Sequence, residues 1–220
     1  MGATVTTSDT QDPPAPAAVD SPLRVERGWV YKAIMWFLVA PIYRIAHRVR
    51  IEGREHLPPQ GALLAANHES FLDIPLVAHA AGPRHVSFVA RDTLAKTGWL
   101  RFVMEQCGAI LVKRSSSDRR ALRDMVAHLS AGDLVGVFPE GTRSADGELG
   151  PFKGGVLLAA KVAGVPIVPV GIHGSFEAWP RHRKFPRPRK LIARIGAPIA
   201  ADGENTLERL RDAVAELSRD

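Results

Sequence analysis

Two short segments hold the residue types that chemistry needs. Asn67-His68-Glu69-Ser70-Phe71-Leu72-Asp73 sets a histidine and a carboxylate five residues apart, directly after an apolar run. Phe138-Pro139-Glu140-Gly141-Thr142-Arg143-Ser144 sets turn formers and an arginine after another such run. A carboxylate bonded to one imidazole nitrogen fixes the tautomer and leaves the other nitrogen free as a base. Arginine offers phosphate a bidentate fork that lysine lacks. Together the segments point to proton abstraction from a hydroxyl on a phosphate-bearing substrate.

That chemistry demands a particular local fold. On a continuous helix, residues five apart are turned by about 140° and do not meet. His68 must therefore sit in a strand-to-helix turn, with Asp73 capping the helix. Pro75 agrees, since proline is tolerated in a first helical turn. The same spacing also suits a surface histidine beside a capping aspartate, and spacing alone leaves both open. In the second segment the amides around Pro139 and Gly141 suit an anion, and Glu140 suits either orienting Arg143 or holding a substrate hydroxyl. An ordinary charged turn is the plainer alternative. Lys113-Arg114 and Phe152-Lys153-Gly154-Gly155 add cations that are otherwise plain solvated charge. His173-Gly174-Ser175 reads as a structural loop.

The elements that must position these residues alternate between short apolar runs and helical patterns, which argues an α/β sheet. Strands are expected at residues 62–66, 86–90, 109–112, 134–138, 165–172 and 191–195. Helices are expected at 99–107, 117–129, 155–163 and 206–219. Pro166 and Pro169 imply irregular pairing or an edge for the fifth strand. Asn205 reads as the cap of the last helix, whose face is Leu207, Leu210, Val214 and Leu217. His68, Arg114, Glu140 with Arg143, and His173 all fall where apolar runs end, the place where ligands collect in open α/β sheets.

Length and composition set bounds. The 220 residues suit one α/β domain, and 45% hydrophobic residues allow a sizeable core. A net charge of +6 favours anionic partners. The single Cys107 excludes an internal disulfide and reads as a small buried residue. Residues 1–22 read as a disordered tail without a secretory signal. Residues 23–50 read as an amphipathic, interfacial helical segment, and 51–220 as the catalytic domain. The apolar stretch from Trp29 to Ala40 is too short to span a bilayer and is interrupted by Pro41. A kinked helix in the interface fits it, with Trp and Tyr at headgroup level and Arg toward anionic lipid. A helix packed on the core is the alternative.

No phosphate-binding glycine loop, nucleophile elbow or zinc spacing occurs. No metal and no cofactor are expected. No stacking motif or basic recognition helix argues for nucleic acid. Residues 182–190 hold five Arg/Lys and two prolines, a stretch whose charge suits an acceptor headgroup or the phosphates of a donor.

The order of the segments resembles the glycerophospholipid acyltransferase family, especially bacterial 1-acylglycerol-3-phosphate acyltransferases. Asn67–Asp73 matches its Asn-His-x-x-x-x-Asp block, and Gly108–Arg114 looks like the second block, which ends in arginine. Phe138–Ser144 matches the third, and Val165–Val170 looks like the fourth, apolar and proline-bearing. The resemblance implies a mixed, largely buried sheet flanked by helices, with an N-terminal helical membrane-associating element. It implies that His68, oriented by Asp73, deprotonates a lysophospholipid hydroxyl. That hydroxyl would attack the thioester of acyl-CoA or acyl carrier protein without an acyl-enzyme. Lys113, Arg114, Glu140, Gly141, Thr142 and Arg143 would hold the phosphate-bearing acceptor. The implied acceptor is lysophosphatidic acid and the implied product phosphatidic acid. The implied setting is the cytoplasmic face of the cell membrane, peripheral or monotopic, with an anionic membrane surface as partner. Another lysophospholipid, a glycolipid or an amino-acid lipid is the alternative acceptor. A non-catalytic lipid-binding protein is the alternative from another class.

Overall fold

The computed structural model describes residues 29–91, 98–112 and 118–220. The expected tail over 1–22, and Lys113 and Arg114, lie outside the described residues. Seven strands form one sheet: β1 (Arg50–Glu52), β2 (Ala62–Ala66), β3 (Val86–Arg91), β4 (Ile110–Val112), β5 (Leu134–Val137), β6 (Ile167–His173) and β7 (Ile192–Ile195). Their order is β1-β7-β6-β2-β5-β3-β4. Every pairing is parallel except that of β6 with β7. The sheet is therefore mixed, as expected, and β1 is a strand the sequence reading did not anticipate.

β2 lies at the centre, and all five of its residues are buried. A strand covered on both faces reads as an unbroken apolar run, because alternate side chains leave for opposite sides. Ala62, Leu64 and Ala66 join the core that contains Tyr43, Leu76 and Val77. Leu63 and Ala65 join the core that contains Leu129, Ala159, Leu210 and Val214. The first core is closed by α3 (Asp73–Ala80) and the N-terminal helical run. The second is closed by α5 (Asp118–Ser130), α6 (Gly155–Ala163) and α8 (Thr206–Ser218). A short α4 (Gly98–Gln106), a one-turn α7 (Ser175–Ala178) and a 3₁₀ turn (Arg54–His56) complete the helices described after the N-terminal run.

β6 shows the irregular pairing expected of it, but not at an edge. Despite Pro169 it is an interior strand between β2 and β7. The irregularity is in the β7-side pairing. Val170 pairs with Ile195, Gly196 donates to the Pro169 carbonyl at 2.9 Å, and Ile167 then bridges Ile199. The register slips by one residue between these points. A carbonyl and amide of one residue point the same way in a strand, so the missing Pro169 amide falls at the slip, where no regular partner is lost. Gly171, next on the strand, is in close approach to α8: an added Cβ would collide with the Leu217 backbone. Asn205 stands at the N-cap of α8 but at φ 51°, and its side chain makes no capping bond. The Thr206 hydroxyl donates to the Gly203 carbonyl instead.

The N-terminal run comprises α1 (Trp29–Ala33), a π-helical stretch (Ile34–Val39) and α2 (Ala40–Ile45). Its irregularity precedes Pro41, which sits in the first turn of α2. The run has two apolar faces. Tyr31, Val39 and Tyr43 are buried against the domain. Trp36, Phe37 and Ile45 are 75%, 85% and 79% exposed. The tyrosines thus depart from the expectation of a headgroup position. The Tyr43 hydroxyl donates at 2.7 Å to the Leu72 carbonyl, which ties this run to the turn that carries His68. Burial of that phenol, followed by the nearby Asp73 charge, pushes its pKa above the usual range. Among the described residues no helix is long and apolar enough to cross a membrane. Cys107 is only partly buried.

Candidate active site

β2 and β5 are parallel neighbours, so the turns that leave their carboxyl ends are brought side by side. His68 lies in the first turn, between β2 and α3, as its pairing with Asp73 requires. Its Nδ1–H donates to Asp73 Oδ2 at 2.9 Å. Asp73 is fully buried and His68 retains some exposure. Asp73 is not the helix cap that was expected. It is the first residue of α3, behind Leu72 at the N-cap. It reaches back, and the same Oδ2 accepts the amides of Glu69 and Ser70, each at 2.7 Å. One carboxylate oxygen therefore shapes the turn and holds the imidazole. His68 Nε2 is left as the nitrogen available to a substrate.

The second turn is clamped onto the first. Glu140 Oε1 accepts the His68 amide at 2.8 Å, and Oε2 accepts the Gly150 amide at 3.0 Å. The Ser144 amide donates to the His68 carbonyl at 2.7 Å. Both Glu140 oxygens are thus spent on backbone, and the residue meets His68 rather than Arg143. Burial raises the Glu140 pKa, and the two amide bonds oppose that rise. The His68 ring stacks on Phe138 at 4.0 Å between centroids. Gly141 turns at φ +74°, with its amide on the Phe138 carbonyl at 2.9 Å. A side chain there would be strained by that φ and would meet the Lys153 ammonium. Thr142, next in the turn, is exposed.

Arg143 lies over the Phe71 ring at 3.6 Å. Its Nη1 is buried without a hydrogen-bond partner. Burial, then repulsion from Arg181, holds its pKa below the usual arginine range, and Asp73 works in the opposite direction. Two guanidinium groups that repel one another, one with a spare donor, make a local excess of positive charge next to the His68 turn. Phe71, Phe138 and Arg181 were passed over in the sequence. The signal for Arg181 was the basic stretch of residues 182–190 that directly follows it. The aromatics lie inside the two motifs, among polar residues whose types point more directly to chemistry. His173 is tied elsewhere, with Nδ1 on the Ser218 carbonyl at 3.2 Å. Among the described residues no group of three His, Cys, Asp or Glu side chains is placed to hold a metal ion.

Glu69 braces the site from the β6 side. Asn67 Nδ2 donates to it at 2.9 Å, and the Ser175 hydroxyl and Phe176 amide donate at 3.3 Å each. Burial, then the Asp73 charge, raises its carboxyl from 4.5 to about 7. A carboxyl whose folded pKa is raised binds protons better in the folded state. It therefore weakens the fold as pH rises from 4.5 through about 7. Glu69→Gln cannot ionise, so its stability relative to wild type should climb across that window and level off above it. Paired thermal unfolding from about pH 4 to about pH 9 reads the difference. A difference independent of pH would contradict the assignment.

The sequence matches the family model described as Acyltransferase over residues 48–173, more than half of the chain. The protein belongs to the acyltransferase family. It is 30% identical over 184 residues to a 1-acyl-sn-glycerol-3-phosphate acyltransferase of Chlamydomonas reinhardtii, a match covering 80% of this chain and 53% of that one. It is 32% identical to a lyso-ornithine lipid O-acyltransferase of Pseudomonas aeruginosa, covering 71% and 57%. The chain thus spans about half the length of these curated relatives. The crystal structure of PlsC, the 1-acyl-sn-glycerophosphate (LPA) acyltransferase of Thermotoga maritima, superposes with a TM-score of 0.72 at 32% identity, covering 87% of this chain and 78% of that one.

Proposed function

We propose that the protein transfers a fatty acyl group from an acyl thioester to the free sn-2 hydroxyl of 1-acylglycerol-3-phosphate, giving phosphatidic acid. The observation that carries this reading is the His68–Asp73 pair at 2.9 Å beside the unpartnered Arg143 nitrogen. His68 Nε2 takes the proton of the acceptor hydroxyl, and the Asp73 carboxylate stabilises the imidazolium that forms. The hydroxyl oxygen attacks the thioester carbonyl directly. The thiol leaves as coenzyme A or as the carrier-protein thiol, and His68 returns the proton to it. No acyl-enzyme intervenes. The amides of Gly141 and Ser144 are engaged by carbonyls, so neither is the donor to the developing oxyanion.

Arg143 and Thr142 hold the phosphate in this reading, with Gly141 shaping their turn and Glu140 fixing it against His68. Lys113 and Arg114 are proposed to complete the anion site. Anchoring the phosphate places the hydroxyl near Nε2, and part of the rate comes from that positioning. The exposed Trp36, Phe37 and Ile45 side chains support peripheral or monotopic attachment to a membrane, and the cytoplasmic face is part of the same proposal. The reaction draws on no metal or organic cofactor beyond the thioester donor.

Thiol release from acyl-CoA, and from acyl carrier protein, tests the reading across a panel of acceptors. Lysophosphatidic acid should be the preferred one. Preference for a lyso-ornithine lipid would keep the mechanism and replace the substrate. No release with any acceptor and either donor would favour a non-catalytic lipid-binding protein. Arg143→Lys should raise the acceptor KM about tenfold or more through loss of the bidentate fork, with the donor KM little changed. Steady-state kinetics varying each substrate in turn checks this, and a defect confined to the donor would overturn the assignment.

A further inference from the structure

The loop of residues 181–190 contains Arg181, Arg183, Lys184, Arg187, Arg189 and Lys190 and no acidic residue. The chain has 29 Lys and Arg against 23 Asp and Glu. Without these six cations the two totals would be equal, so the loop carries a charge equal to the whole net +6. All but Arg183 are exposed. Among the described residues none of the six forms an ion pair. Phe185, in their midst, is 78% exposed.

The loop is held rather than loose. Pro186 and Pro188 remove two amide donors and keep the chain extended. At its near end the Arg183 amide donates to the Pro180 carbonyl at 3.0 Å, and the Arg187 amide to the Ala178 carbonyl at 2.8 Å. The Trp179 indole N–H donates to the Arg183 carbonyl at 3.0 Å. Pro180 bridges Ser70 in the His68 turn, and Arg181 lies close enough to Arg143 to perturb it. At its far end His47 Nδ1–H donates to the Arg189 carbonyl at 3.2 Å, and the Leu191 amide to the His47 carbonyl at 3.0 Å. His47 is two residues beyond Ile45, the last exposed apolar residue of the N-terminal run. The cations thus run from the mouth of the site to the apolar helix.

An array of cations without carboxylate partners seeks anions. The exposed phenylalanine and the adjoining apolar helix select among them, because a bilayer interface takes an aromatic ring and phosphate contacts together. We propose that this loop docks on the phosphate headgroups of an anionic lipid bilayer and gives the protein a preference for anionic over zwitterionic membranes. The inference rests on the reading that the protein works at a membrane, and it assigns the charge-sensing part of that attachment to residues outside the family-matched segment.

The test is sedimentation of the full chain with vesicles of phosphatidylcholine alone and with vesicles containing phosphatidylglycerol. A basic residue near an anionic surface strengthens binding about fivefold. The combined variant Arg183→Gln, Lys184→Gln, Arg189→Gln and Lys190→Gln should lose about tenfold to several hundredfold on the phosphatidylglycerol vesicles. It should be little changed on phosphatidylcholine and should unfold near the wild-type temperature. Raising the salt should erase the wild-type preference. The pair Trp36→Ser and Phe37→Ser, in contrast, should weaken binding to both compositions. A wild type indifferent to phosphatidylglycerol overturns the inference, as does a loop variant that keeps the preference. A variant with normal vesicle binding but a raised KM for acyl carrier protein would show that the loop reads an acidic protein, and would overturn it equally. Binding is measured without turnover, so a protein with no acyl-transfer activity would sink the proposed function and leave this inference standing.

Discussion

His68→Ala is expected to lower kcat by about 10²–10⁴-fold, the range that a positioned general base contributes. The acceptor and donor KM values should move little, because in the proposed mechanism other residues hold the phosphate and the thioester. The variant should still fold. His68 keeps some exposure, and its ring contributes one stacking contact to Phe138, worth about 0.5–1.5 kcal/mol. Asp73 would keep the two amides of Glu69 and Ser70 on the same oxygen, so its buried charge would not be stranded. Circular dichroism and thermal unfolding alongside the kinetics separate the two effects. A loss of activity that tracks a loss of fold would assign His68 to packing instead.

Asp73 should behave differently, because it has two duties. Asp73→Asn keeps an oxygen where three donors converge and loses the charge that stabilises the imidazolium. Activity should fall about 10²-fold or more with the fold largely kept. Asp73→Ala removes the acceptor as well. Two amides of the His68 turn would then be left without their acceptor, at about 1–3 kcal/mol each, so this variant should unfold at clearly lower temperature. The contrast between the two substitutions is the diagnostic. Equal activity losses with no stability difference would show that Asp73 does not organise the turn. The asparagine variant acting like wild type would remove it from the chemistry.

The parts of this arrangement legible in the sequence were those governed by local rules. The run Ala62–Ala66 declared a strand buried on both sides, and Gly155–Ala163 declared its helix together with the glycine that follows. The five-residue spacing of His68 and Asp73 sufficed to place the histidine ahead of the helix. What the sequence concealed was set by contacts between distant segments. Glu140 read as a substrate or arginine partner, but its position opposite the His68 amide depends on β5 pairing with β2. Tyr43 read as an interfacial aromatic, but its hydroxyl has a carbonyl partner on the Leu72 turn. Pro169 pointed to irregular pairing or an edge. The strand is interior, with the slip on one side, because the pairing of residues 196–199 is a property of a later strand. β1 is three residues long and exists only through its pairing with β7, too short a pattern to register by itself.

The measurement that tests the central claim most directly follows thiol release and lipid product together, using the purified full chain, a thioester donor and lysophosphatidic acid. Wild type should form one phosphatidic acid for each thiol released, with no release before the acceptor is added, and folded His68→Ala should do both about 10²–10⁴-fold more slowly. A burst of thiol from wild type without acceptor, one per enzyme, would show an acyl-enzyme. Undiminished phosphatidic acid formation by folded His68→Ala would show that the base lies elsewhere.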